Sequence, residues 1–337
     1  MSRSPSTEPT RGASEPVSAT RPGRLSHPAL RVACAFGLVG ALLVVAVTAG
    51  ALRAAPPRPT IVPIHHAGRP LRILLVGDSL AGTLEVGLAQ AAAESNVEIV
   101  NAAHVGCSVA IAWNSAWASS ILTPGPPAYP CQSREQLIGS WEAALEEYQP
   151  DVVIYASHMD TIDQEVRPGS SSMTSVLDPT FAAALTADLE EAVSVLSSTG
   201  AKVILTTGAP TKINLIGNTN DNPARLTTYA SIIADVAAGS QGTASVFDLA
   251  RILGGSGPVP TFSLTSPEGI QWRCGDGIHI SPAGGVIIAP DLFTLAWKVA
   301  GSEVARTPTL KLVPRSLINQ PWPPFEQERT TMGCPND

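Results

Sequence analysis

Apolar residues in this chain fall into two patterns. The first is one unbroken run near the N-terminus, VACAFGLVGALLVVAVTAGAL (32–52), with no charged residue. At about 1.5 Å of rise per residue, a helix of that length crosses a hydrocarbon core of about 30 Å. The second pattern begins at residue 71, where short β-type runs alternate with stretches whose apolar residues are spaced by three and four. The β runs are RILLVG (72–77), VEIV (97–100), DVVIYAS (151–157), KVILTT (202–207) and ASVFDL (244–249). Helical stretches are predicted after the first run to about residue 94, and near 133–147, 180–199, 222–238 and 281–301.

Five such runs separated by helices predict an α/β fold: a three-layer α/β/α domain around a five-stranded parallel sheet. The flavodoxin-like strand order 2-1-3-4-5 is the expected arrangement. Ligands in such sheets bind beyond the carboxyl ends of the strands, at the switch point beside the first strand.

Composition sets the rest of the chain apart from this domain. Residues 1–31 are rich in Ser, Thr, Pro and Arg without apolar periodicity, and are expected to be a disordered tail. Arg3, Arg11, Arg21, Arg24 and Arg31 precede the apolar run, against Glu8 and Glu15. The positive-inside rule then places the tail in the cytoplasm and the domain outside. A cleaved signal peptide is the competing reading. The run exceeds the usual h-region of about 7–15 residues, so an uncleaved single-pass anchor is preferred. Residues 53–70 are Pro-rich and read as a stiff linker, and His65 and His66 within it receive no role. The domain is expected over 71–303, with a C-terminal extension over 304–337.

The net charge of −7, with no basic cluster, argues against a nucleic-acid partner. No phosphate-binding loop, metal-ligand cluster or dinucleotide fingerprint is present, so no cofactor or metal is expected. Cys34 lies in the apolar run; Cys107, Cys131, Cys274 and Cys334 follow it. An even number beyond the anchor suggests disulfides in an oxidising compartment, with three pairings open.

Candidate chemistry lies at the two ends of the domain. Gly77-Asp78-Ser79-Leu80 follows the first strand, which places the Ser79 hydroxyl at the mouth of the switch-point crevice. The helix start behind it offers unpaired N–H groups to a developing oxyanion. Either Asp78 or Ser79 could equally be a plain helix cap. Cys274-Gly-Asp276-Gly-Ile-His279-Ile-Ser281-Pro precedes the last helix, which is expected to start at Ser281 with Pro282 at its first position. An Asp three residues before a His can reach Nδ1–H and leave Nε2 free to take a proton from Ser79.

Together these residues resemble the SGNH (GDSL-type) hydrolase family, in particular the extracytoplasmic SGNH domains linked to bacterial surface-polysaccharide acylation. The resemblance implies Ser79 as nucleophile and oxyanion donor, His279 as base and Asp276 as its orienting partner. Gly106, in NAAHVGCS, matches the second oxyanion donor. The family commonly has Gly-x-Asn-Asp after the third strand, whereas this chain has Ser157-His158-Met159-Asp160. A thioether therefore stands where a third, Asn, donor is expected, and either a contributing or a packed role is open for His158 and Asp160.

The implied activity is a serine esterase or O-acyltransferase acting on O-acylated carbohydrate or a small ester. A multi-span acyl donor protein is an implied partner if it transfers; a non-catalytic glycan-binding module is the alternative. Trp113 and Trp117 could line a sugar-binding lip or simply pack their loop. Asp248 reads as a structural turn residue. The expected bridges are Cys107–Cys131, closing the loop beside Gly106, and Cys274–Cys334, tying the Pro-rich tail to the Asp276–His279 segment.

Overall fold

In the computed structural model, the described residues are 69–107, 109–110, 133–161, 164–165, 173–212, 222–254, 261–301, 318–320 and 323–334. The expected tail, membrane anchor and residues 53–68 of the expected linker, together with Trp113, Trp117 and Cys131, lie outside them.

Strands β1 (Leu71–Gly77), β2 (Val97–Asn101), β3 (Val152–Ala156), β4 (Lys202–Thr206) and β5 (Ala244–Phe247) form one sheet in the order β2-β1-β3-β4-β5. All four neighbouring pairs are parallel, so the expected 2-1-3-4-5 topology is the observed one. Helices α1 (Ser79–Ala92), α2 (Arg134–Tyr148), α3 (Pro179–Leu196), α4 (Pro223–Gly239) and α6 (Pro282–Ala300) correspond to the predicted helical stretches. The run ASVFDL ends earlier than expected. Asp248 turns the chain into a short helix α5 (Leu249–Gly254), its carboxylate accepting from Thr207 Oγ1 and the Arg251 N–H.

Alternation along the strands divides the core between the two sheet faces. Leu74, Val76, Val153, Tyr155, Val203 and Leu205 pack with residues of α2, α3 and α4. Leu71, Ile73, Leu75, Val152, Ile154 and Ile204 pack with α1, α5 and α6. Strand β1 is buried along its whole length, as a central parallel strand must be. A carboxylate fixes its start: Asp151 accepts two hydrogen bonds from the Arg69 guanidinium at 2.8 and 2.6 Å and one from the Arg72 N–H at 3.0 Å. The end of β1 is fixed by steric fit. At Gly77 φ is +129°, and an added Cβ would lie 1.9 Å from the Ala156 carbonyl oxygen.

Helix α6 is the one helix among the described residues long and apolar enough to cross a membrane. Its apolar residues are spent on the core, with Ile288, Ala289, Leu292, Phe293 and Ala296 all fully buried. It crosses α1 at Gly87 and Gly285, where a Cβ on Gly87 would meet the Pro282 carbonyl oxygen at 2.1 Å and the Gly285 Cα at 2.6 Å. A final helix, α7 (Pro323–Met332), lies in the segment expected only as an extension. Its composition is polar, and tertiary contacts of Phe325 and Met332 with Val86, Cys274 and Cys334 hold it.

Gly87→Ala tests the α1–α6 contact. Helix propensity alone favours Ala by about 1 kcal/mol, but overpacking costs about 1–3 kcal/mol, and a backbone carbonyl 2.1 Å away has little room to yield. Urea denaturation is expected to show a net loss of roughly 1–2 kcal/mol.

Candidate active site

Ser79 is the first residue of α1, and Asp78 is its cap, accepting the Leu80 N–H at 2.7 Å. The N–H of Ser79 has no intrahelical acceptor at that position. Ser79 is 6 % exposed, more enclosed than a serine at the mouth of an open crevice. Its hydroxyl has no hydrogen-bond partner among the described residues, so nothing in the surrounding scaffold consumes it.

Asp78 does more than cap. Fully buried, it also accepts from Ser157 Oγ (2.9 Å) and from the His158 and Met159 N–H groups (2.8 Å each) on Oδ2. Burial by itself would raise its pKa. The contact with His158 and the N–H groups of Met159 and Leu80 outweigh that and hold it below the usual carboxylate range. This carboxylate therefore locks the end of β3 against the start of α1.

Gly106 occupies a turn after β2, with φ at +68°. That turn is fastened beside the end of β1: the His104 N–H donates to the Gly77 carbonyl at 2.9 Å, and the Cys107 N–H to the His104 carbonyl at 3.1 Å. The Gly106 N–H has no acceptor among the described residues, so it and the Ser79 N–H are both available to an incoming oxygen. Cys107 is disulfide-bonded; its expected partner Cys131 lies outside the described residues.

The sequence places Asp276 and His279 on one turn, and the structure brings them into contact. His279 Nδ1 lies 2.5 Å from Asp276 Oδ2, while Asp276 Oδ1 accepts the Ile278 and His279 N–H groups at 2.9 and 3.1 Å. Burial pushes Asp276 up, but His279 and these N–H donors outweigh it, and its pKa is lowered. A charged carboxylate at this position keeps a proton on Nδ1 and the lone pair on Nε2. The Nε2 atom is enclosed and unpartnered. It is not hydrogen-bonded to Ser79; such contacts often close only around substrate.

Several bonds hold this turn in place, one chain of them reaching Ser79. The Ile280 N–H donates to Thr83 Oγ1 (3.3 Å), which in turn donates to the Ser79 carbonyl (3.0 Å). Ser281 caps α6 through the Gly284 N–H (3.0 Å), with Pro282 first in the helix as expected. The fully buried Arg273 donates to the Ile278 carbonyl (2.7 Å) and the Pro210 carbonyl (2.6 Å). Burial depresses its pKa to about 10 against the raising effect of Asp276, so it stays charged at neutral pH. Gly275 and Asp276 donate to the Gly333 and Met332 carbonyls (2.9 Å each), and the Cys274–Cys334 disulfide joins the same two segments as expected.

The block after β3 contains the residue the sequence left undecided. Met159 is buried and Asp160 accepts hydrogen bonds from the Tyr155 and Tyr229 hydroxyls (2.7 and 3.2 Å), a structural use. His158 instead faces the site. Its Nδ1 is 3.1 Å from Asp78 Oδ2, and its ring centroid is 6.5 Å from that of His279. Its signal in the sequence was only its position one residue before the thioether. No group of His, Cys, Asp and Glu suited to a metal ion occurs among the described residues.

Asp78→Asn places an NH₂ group against either Leu80 N–H or the three donors at Oδ2, so at least one buried donor loses its acceptor. A loss of about 3 kcal/mol is expected at pH 7. Because the folded pKa is lowered, the wild-type contribution is present above the unfolded value of about 3.9 and is lost as pH falls through the folded one. Urea denaturation should therefore show the gap between mutant and wild type narrowing only below about pH 4.

Comparison with known proteins puts this constellation in context. No curated protein matches the chain. Among solved structures, a protein from Slackia heliotrinireducens described as an SGNH hydrolase is 20% identical, covering 69% of this chain and 100% of its own, with a TM-score of 0.40. An acetylxylan esterase from Geobacillus stearothermophilus, a catalytic mutant, is 16% identical over 68% of this chain and 96% of its own, with a TM-score of 0.39. A psychrotrophic esterase from Pseudoalteromonas is 17% identical over 66% and 94%, with a TM-score of 0.37. The family described as the SGNH domain fused to AT3 domains matches residues 53–292, well over half of the sequence. The chain belongs to that SGNH domain family.

Proposed function

We propose that this SGNH domain is a serine ester hydrolase or O-acyltransferase that works through an acyl-Ser79 intermediate. Its substrates in this reading are O-acyl groups, acetyl foremost, on cell-envelope glycans. The observation that carries the proposal is the His279 imidazole, oriented by Asp276 at 2.5 Å with an enclosed, unpartnered Nε2. Such an orphaned atom calls for an explanation, and base catalysis supplies one.

In the first half-reaction the Ser79 oxygen attacks the ester carbonyl carbon while His279 Nε2 takes the hydroxyl proton. The carbonyl oxygen becomes an oxyanion received by the Ser79 and Gly106 N–H groups. The tetrahedral intermediate collapses with loss of the alcohol, which leaves with the proton from His279. An acceptor hydroxyl, from water or a sugar, reverses the sequence and frees Ser79. With Met159 turned into the core, only these two backbone donors are assigned to the oxyanion.

The domain is held outside the membrane by residues 32–52 and the linker over 53–70. The family's association with AT3 domains supports a multi-span acyltransferase as acyl donor, since one span cannot itself move an acyl group across a bilayer. The Cys274–Cys334 bridge supports an oxidising compartment.

A fluorophosphonate is expected to label the wild type at Ser79 and not Ser79→Ala. Turnover of a chromogenic acetyl ester should fall by about 10⁴-fold in Ser79→Ala and His279→Ala, and less in Asp276→Asn, which misorients the base without deleting it. Labelling elsewhere, or undiminished turnover in Ser79→Ala, would sink the assignment and favour a glycan-binding module. Acylated oligosaccharide formed only with Ser79 present identifies a transferase; free acid at every acceptor concentration identifies an esterase.

A further inference from the structure

Among the described side chains of α7, Phe325 and Met332 are buried, and both are used in one place. They form a cluster with Val86, Cys274 and Cys334, and Val105 packs against it. Each neighbour belongs to a different part of the site. Val86 lies on α1 about two turns after Ser79, and Val105 immediately precedes Gly106. Cys274 opens the turn that carries Asp276 and His279. The cluster thus joins the three segments that supply the assigned chemistry. The family match ends at residue 292, so α7 lies beyond the shared span.

The way α7 ends lets it grip that turn. Gly333, with φ at +65°, takes the left-handed position that closes a helix. Its N–H donates to the Thr330 carbonyl and the Cys334 N–H to the Arg329 carbonyl, at 3.1 Å each. The Met332 and Gly333 carbonyls then accept from the Asp276 and Gly275 N–H groups, and Cys334 is bonded to Cys274. Consecutive residues 274, 275 and 276 are held against 334, 333 and 332. The two glycines permit the approach, because a Cβ on Gly275 would lie 3.2 Å from the Gly333 carbonyl oxygen.

The turn's own bonds fix its internal shape: Asp276 Oδ1 accepts the Ile278 and His279 N–H groups, and the Cys274 N–H donates to the His279 carbonyl at 2.9 Å. They do not fix where the turn sits relative to Ser79. On its C-terminal side the bond from Ile280 to Thr83 does so. On its N-terminal side the fixed points are Arg273 and α7. Resting on the acyl-Ser79 reading, we propose that Phe325, Met332, Gly333 and Cys334 form a positioning brace that sets the Asp276–His279 pair against Ser79 and the Gly106 turn. None of these residues touches substrate in this reading. Loosening the brace lets the turn shift as a unit with its internal bonds intact, and a displacement of about 1 Å can cost up to about a hundredfold in rate.

The test uses the full-length protein with Cys274→Ser/Cys334→Ser and, separately, Phe325→Ala, each shown to be folded by near-UV circular dichroism. Turnover of p-nitrophenyl acetate is expected to fall about tenfold or more in both, and Phe325→Leu, which keeps most of the packing, should recover most of it. Labelling of Ser79 by a fluorophosphonate should slow by a similar factor yet still go to completion. In an Asp276→Asn background, where the pair is already misoriented, the same changes should cost less than about threefold. Wild-type turnover in both variants overturns the proposal. So does an equal loss in the Asp276→Asn background, or labelling at the wild-type rate with a reduced end point, since either makes α7 a stabiliser of the fold alone. The underlying reading fails separately, in the wild type, if Ser79 is not labelled at all.

Discussion

Everything at this site depends on the close crossing of α1 and α6. Ser79 opens the first helix and His279 closely precedes the last long one, so two helices far apart in sequence must meet near their N-termini. Gly87 and Gly285 allow that approach, because neither position has room for a side chain. Thr83 then bridges the two elements across a separation of 197 residues, through the Ile280 N–H and the Ser79 carbonyl. A wider crossing would separate Ser79 from His279 without disturbing either residue's immediate bonding. Catalytic geometry is sensitive to displacements of about 1 Å, so the packing of two helices acts here as a positioning device.

Two buried charges complete the frame, each compensated in a different manner. Asp78 is surrounded by N–H and O–H donors drawn from α1 and from the turn after β3, so its cost of desolvation is offset by hydrogen bonds. Arg273 is surrounded by carbonyl oxygens, with Asp276 as the nearby counter-charge. The first ties the start of α1 to the end of β3; the second shapes the turn carrying His279. Together with Asp276 they make the site polar in its supports but leave Ser79 Oγ and His279 Nε2 without a hydrogen-bond partner among the described residues.

Much of this was legible in the residues. Strand alternation and helical spacing fixed the sheet order, because parallel strands joined by helices leave few topologies. The Asp276–His279 contact could be read from spacing, since both residues lie on one turn where local geometry dictates it, and Ser79 could be placed at the start of α1. His158 could not: its significance comes from Asp78, eighty residues earlier, a partnership that exists only once β1 and β3 are adjacent. Arg273 was hidden for the same reason, as its acceptors Pro210 and Ile278 belong to different segments. Helix α7 was missed because PPFEQERTTM has no apolar face to announce it, and long-range contacts of Phe325 and Met332 supply its stability.

That C-terminal helix connects the chemistry to the compartment. The turn from Cys274 to His279 contains two glycines and would be costly to hold in one conformation by itself. Two backbone hydrogen bonds from Gly275 and Asp276 fasten it to the end of α7, and the disulfide to Cys334 makes the attachment covalent. With a sequence separation of 60, loop-closure entropy alone puts the constraint at about 4 kcal/mol. That is comparable with the free energy that separates an ordered turn from a locally open one. Without the bridge, the two backbone bonds and the packing of Phe325 and Met332 against Val86 would have to hold α7. The turn carrying Asp276 and His279 is thus anchored three ways, by backbone hydrogen bonds, by the packing of α7 and by a covalent bridge.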